Sequence, residues 1–169
     1  MTQSCLIALL ISGLAYPLHG QDQSEALTVC TVIEKRLALE GLQLVIEGID
    51  SANGALRGKC QEPVLINGFS YPRAIWIVDA SRAEGSKFLK TCPTCISLGD
   101  YINLTYEHRR QRGFRSSVRV VGYIRTMERR SASEVGLPTR LAGFGKLGIF
   151  PVEFVVLGVK KWERISEGN

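Results

Sequence analysis

Cys92-Pro93-Thr94-Cys95 sets two thiols at the C-x-x-C spacing used in thiol-disulfide exchange. The spacing predicts a helix that starts at Pro93, capped by Thr91 or Cys92, with Cys95, Leu98, Ile102 and Tyr106 on one face. A helix N-terminus with Lys87 and Lys90 nearby would favour the thiolate at Cys92. Exchange chemistry also needs a scaffold, and the chain has no βαβ pattern of the thioredoxin kind. A structural disulfide is therefore the preferred reading, and a thiol-disulfide oxidoreductase the alternative. Zinc would require two close cysteine pairs, whereas Cys30 and Cys60 stand far apart in sequence. No metal site is expected.

The other spacings that could do chemistry lack what the chemistry needs. Gly143-Phe144-Gly145-Lys146-Leu147-Gly148 matches G-x-G-x-x-G, but a phosphate cradle requires a strand before it and a helix after it. Here a polar stretch precedes the motif and a strand pattern follows Pro151, so it reads as a glycine turn. His108 lies within Glu107-His108-Arg109-Arg110-Gln111-Arg112 with no nucleophile marked beside it. Glu47 and Asp50 have no carboxylate partner that spacing can identify. No catalytic residue and no cofactor are assigned.

Charge is more informative. The chain has 21 Lys and Arg against 16 Asp and Glu. Between residues 101 and 146 ten basic residues face only Glu107, Glu128 and Glu134, so the remainder of the chain is close to neutral. The basic arc Arg109, Arg110, Arg112, Arg115, Arg119, Arg125, Arg129 and Arg130 is the expected place for a polyanion, such as an anionic polymer or an envelope surface. Tyr106, Phe114 and Tyr123 lie near it in sequence and could add stacking surfaces. A solvated basic face that binds nothing is the plainer alternative.

Compartment follows from the N-terminus. Residues 1–20 carry no Lys, Arg, Asp or Glu, and Cys5–Tyr16 is an apolar run of 12 residues before Pro17. A bilayer span needs roughly 20 apolar residues, so the run predicts a signal peptide over 1–20, cleaved after Ala15 or Gly20. An N-terminal helix packed on the domain is the alternative, since Met1-Thr2-Gln3-Ser4 has no basic side chain. An exported domain over 21–169, periplasmic or extracellular and without a membrane span, would retain Cys30, Cys60, Cys92 and Cys95. Of the three possible pairings, Cys30 with Cys60 and Cys92 with Cys95 is preferred. The first would close a loop worth roughly 3 to 4 kcal/mol by chain entropy.

The elements that must position these residues follow from periodicity. Apolar positions at helical spacing predict a helix over Leu27–Leu39, stopped by Gly41. Alternation over Leu42–Asp50, the Ser51–Gly54 turn and the return at Ala55–Cys60 predict a hairpin. Residues 61 to 73 read as irregular. Ala74–Asp79 reads as a buried strand, Ser117–Met127 and Val152–Lys160 as two more. Five strands with a helix between the third and fourth give the order of an OB-fold, a small Greek-key barrel, in a mainly β chain with one or two helices. An open five-stranded sheet is the alternative.

Leu27-Thr-Val-Cys30, Gly41 with Val45-Ile-Glu-Gly48, Cys60, Val118-Arg-Val-Val-Gly122, and Gly143-Phe-Gly-Lys-Leu-Gly148 with Phe150-Pro151 resemble the pattern of short exported bacterial OB-like proteins of uncharacterised function. The resemblance spans most of the chain after the leader. It implies the fold and the exported location, and it supplies no active site.

Overall fold

The computed structural model describes residues 25–60, 63–66, 69–129, 143–145 and 147–165. The leader expected over residues 1–20 lies outside the described residues, as do Arg130 and the side chain of Arg129. The elements run β1 (Leu27–Thr28), α1 (Val29–Glu34), α2 (Arg36–Leu39), β2 (Gln43–Asp50), β3 (Ala55–Arg57), β4 (Val64–Ile66), β5 (Phe69–Tyr71) and β6 (Ala74–Asp79), then α3 (Arg82–Leu89), α4 (Leu98–Arg109), β7 (Ser116–Thr126) and β8 (Val152–Arg164).

Five of these strands close a barrel in the order β2-β3-β6-β8-β7, with β7 pairing back onto β2. All neighbours are antiparallel except β6 and β8, which run parallel. With helices between the third and fourth barrel strands, this is the OB arrangement expected from the strand order. Closure removes the free edges that an open sheet would expose. Strands that are apolar on both faces become intelligible, because helices cover part of the outside. Ile46, Leu56, Ile75, Val118, Val120, Ile124, Val152, Phe154 and Val156 fill the interior, joined by Val29, Val32 and Ile33 of α1 and Leu98 and Tyr101 of α4. Full burial of each such side chain is worth about 1.5–3 kcal/mol.

Strong local curvature is needed to close so small a cylinder. The β7–β8 ladder shifts register between Arg119 and Val120 and between Val121 and Gly122. Gly122 sits where the strands press together: a Cβ there would lie 2.0 Å from the Val155 carbonyl oxygen and 2.8 Å from the Phe154 ring. Only glycine fits that approach.

Local chemistry corrects several expectations. The single helix over 27–39 is divided. Leu27 and Thr28 pair in parallel with Ile46 and Glu47, the Thr28 hydroxyl accepts the Thr31 N–H at 3.2 Å, and the helix breaks at Lys35. The helix expected from Pro93 starts later, and a further helix, α3, precedes it, which makes four α-helices among the described residues. α3 ends at Leu89, and α4 begins only at Leu98, where the Ser97 hydroxyl accepts the Asp100 N–H at 3.0 Å and donates to its carboxylate at 2.7 Å. Its buried face is Leu98, Tyr101 and Thr105, while Ile102 and Tyr106 are exposed. Residues 61 to 73 are not irregular throughout, because β4 and β5 pair as a hairpin. Asn67-Gly68 between them was the available turn signal.

Both preferred disulfides are present, Cys30–Cys60 and Cys92–Cys95. The first ties α1 to the chain leaving β3 and packs so tightly on Gly58 that a Cβ there would meet the Cys30 sulfur at 2.7 Å. Breaking it by Cys30→Ser with Cys60→Ser is expected to cost about 3–4 kcal/mol, and breaking Cys92–Cys95 about 2 kcal/mol, because the stabilisation grows with loop length. Urea unfolding of the two double variants checks the order.

Candidate functional site

Asp50 occupies the last inward position of β2, in phase with Leu44, Ile46 and Gly48. Its carboxylate is fully buried. An isolated charge there would be prohibitive, so it must be paired and hydrogen-bonded. Tyr101 of α4 donates its hydroxyl to Asp50 Oδ2 at 2.8 Å. Arg109, about two turns further along the same helix face, pairs with the same oxygen. The Ala52 N–H donates to Oδ1 at 2.9 Å, which also shapes the β2–β3 turn. The Arg109 guanidinium lies 5.7 Å from the ring centres of both Tyr101 and Phe114, and Tyr101 meets Trp162 edge to face at 6.0 Å. Burial first, then the Asp50 charge and hydrogen bond, push the Tyr101 hydroxyl above the ordinary tyrosine range.

This network decides where the basic arc points. Arg109 is turned inward and serves the fold. α4 ends beside it, Gly113 takes a positive φ of 81°, Phe114 tucks under as a buried anchor, and Arg110, Arg112 and Arg115 remain outside. Two other members of the arc are taken up across strands. Arg119 lies opposite Glu47 and bonds it at 2.6 Å, and Arg125 lies opposite Glu153 and bonds it at 3.1 Å. Arg110 stacks over the exposed Tyr106 ring at 5.7 Å. Of the other rings expected as stacking surfaces, Phe114 is buried and Tyr123 half-buried.

Arg112 and Arg115 face one cleft of about 330 Å³, shared with Arg164 from the end of β8. Sequence reasoning missed Arg164, which lies outside the arc. Its guanidinium donates to Gln111 Oε1 at 2.8 Å and lies 3.4 Å from His108 Nδ1, which fixes it against the α4 end. Among the described residues no carboxylate lines this cleft and none pairs with Arg112 or Arg115. Three guanidinium groups on one concave surface can take an anion bearing several oxygens.

The remaining motifs resolve into structure. Cys92 and Cys95 sit in the turn after α3, where the Cys92 N–H donates to Leu89 O at 3.3 Å and the Cys95 N–H to Cys92 O at 3.0 Å. That is the C-terminal end of a helix, whose partial negative charge opposes a thiolate. Cys95 is buried against Gly158 of β8. The adjoining Ile96 exchanges two backbone hydrogen bonds with Val159, at 3.0 and 2.8 Å. The bridge thus pins the α3–α4 connection to the barrel. Gly143–Gly148 is a turn closed by the Phe144–Phe150 bridge, with Gly145 and Gly148 at positive φ. It leads into a strand and offers no helix N-terminus to a phosphate. No group of three or more metal-binding side chains occurs among the described residues, and no helix among them is long and apolar enough to cross a membrane.

No family model matches the chain, and neither a curated protein nor a solved structure does.

Removing the buried charge pair should be costly. Asp50→Ala leaves Arg109 unpaired and is expected to lower stability by about 3–5 kcal/mol in urea unfolding. Tyr101 also gives a pH dependence with a definite sign. Its folded-state value is raised, so its contribution is complete below the unfolded value of about 10 and is lost as pH rises beyond it. The wild type should therefore lose up to about 1.4 kcal/mol per pH unit above pH 10 relative to Tyr101→Phe. Parallel stability curves for the two proteins would remove this role for Tyr101.

Proposed function

We propose that this protein is an exported binding module of OB type, akin to the short exported bacterial proteins it resembles, and that it holds an anionic polymer at the α4–β7 turn. Arg110, Arg112, Arg115 and Arg164 carry the binding. Arg109 positions them, and Arg119 and Arg125 are engaged in cross-strand ion pairs. The observation that carries the reading is the convergence of Arg112, Arg115 and Arg164 on one cleft whose described lining has no carboxylate. Export is supported by the leader-like run over residues 1–20 and by two disulfides, which persist in oxidising compartments. A thiol-disulfide oxidoreductase is disfavoured by the buried Cys95 and by the helix C-terminus at Cys92.

Heparin serves as a model polyanion for the test. The protein should be retained on immobilised heparin, and elution should follow salt because bound counterions are released. Arg112→Gln with Arg115→Gln should elute at clearly lower salt, with the log–log salt slope reduced by about one per guanidinium removed. Arg119→Gln, which removes a guanidinium already bonded to Glu47, should shift elution much less. Retention that ignores salt, or that is equal in the Arg112/Arg115 double variant, would refute the assignment.

A further inference from the structure

We propose that the cleft between the β4–β5 hairpin and the glycine loop is a second binding site, for a small organic anion with an apolar ring body. The cleft measures about 450 Å³, within the range of about 300–1,000 Å³ typical of small-molecule sites. Its recognition chemistry is divided. Pro63 and Pro72, at the two ends of the hairpin, and Ile149 and Phe150 supply apolar walls without a side-chain donor. The polar groups are Arg57, Arg73 and Asn53, and no carboxylate is among the described residues that line it. A ligand matching this set carries one anionic head for the guanidinium groups and an apolar body for the walls. A polyhydroxylated body would leave its hydroxyls unpaired against proline and phenylalanine.

The walls are built in advance of any ligand. Phe150 packs on Trp76 with ring centres 5.5 Å apart. Gly54 and Gly145, both at positive φ, press on this pair so closely that a Cβ at either would come 2.9 Å from a ring carbon. The Phe144 N–H donates to Phe150 O at 2.8 Å and the Phe150 N–H to Phe144 O at 3.3 Å, which fixes the loop. Arg73 is held by the Cys60 carbonyl, beside the Cys30–Cys60 bridge. Arg57, the last residue of β3, is exposed and pairs with no carboxylate among the described residues. Both flanks also present apolar side chains to solvent: Leu65 of the hairpin is 71% exposed and Leu147 of the loop 68%. Large apolar groups exposed beside a preformed cleft are what a ligand with an apolar body would cover. The larger hollow of about 590 Å³ beside Cys30 offers no comparable preference, because a carboxylate, Glu47, lines it together with Arg57 and Lys59.

This site is independent of the arginine cleft at the α4–β7 turn. The probe is 2-naphthoate, titrated calorimetrically into the protein with both disulfides formed. Saturable one-to-one binding is expected. Arg57→Gln, at an exposed position, should weaken it by about tenfold or more. The neutral analogue 2-naphthalenemethanol and the bodiless anion acetate should each bind at least about tenfold more weakly. Arg112→Gln with Arg115→Gln should leave naphthoate binding unchanged. Absence of saturable binding, equal binding of the neutral analogue, indifference to Arg57→Gln, or loss in the Arg112/Arg115 variant would each overturn the proposal.

Discussion

A carboxylate buried at the end of a barrel strand determines much of this molecule. Asp50 stands where the alternation of β2 calls for an apolar side chain, and it is fully buried. A charge there has to be neutralised from nearby. Tyr101 and Arg109 do this from one helix, eight residues apart, and so fix both the rotation and the depth of α4 on the barrel. The same requirement explains why Tyr101 and Thr105 face inward while Ile102 and Tyr106 are left in water. It also fixes the chain beyond the helix, because Phe114 packs beneath the Arg109 guanidinium.

The proposed function is coupled to this constraint through geometry. An arginine held by a buried acid is unavailable to a partner, and its immediate neighbours are thereby turned outward. Among the described side chains, the arc that looks continuous in sequence is therefore divided into Arg109, which stabilises, Arg119 and Arg125, which close ion pairs across strands, and Arg110, Arg112 and Arg115 at the α4–β7 turn. Arg164 joins these three from the far end of β8. A formal surplus of positive charge thus becomes a local surface with few internal partners, which is the condition for binding an anion strongly.

What could be read from the chain alone depended on the range of the interactions. The barrel strands carry period-two or continuous apolar patterns within a few residues, and their order specified the OB topology. An even count of cysteines after the leader-like run pointed to disulfides but left three pairings, of which the preferred one is present. The frame of α4 did not follow, because its determinant is a contact between Tyr101 and Asp50, 51 residues apart. One clue was present: the inward phase Leu44, Ile46, Gly48 ends on Asp50, a charge where the pattern demands none. The ion pairs of Arg119 and Arg125 are cross-strand, so they become visible only once the register Glu47 to Arg119 and Arg125 to Glu153 is known. The β4–β5 hairpin was missed although Asn67-Gly68 is a turn dipeptide in the sequence, because the flanking prolines read as loop.

The coupling between Asp50 and Arg109 is the quantity on which this account rests most directly. A double-mutant cycle using Asp50→Asn, Arg109→Gln and the double variant, read by urea unfolding, measures it. A coupling energy of about 2–3 kcal/mol is expected for two groups sharing a buried charge pair. Single-variant effects that add to within about 0.5 kcal/mol would show that the two side chains act independently. The placement of α4, and with it the division of the arginines, would then need another cause.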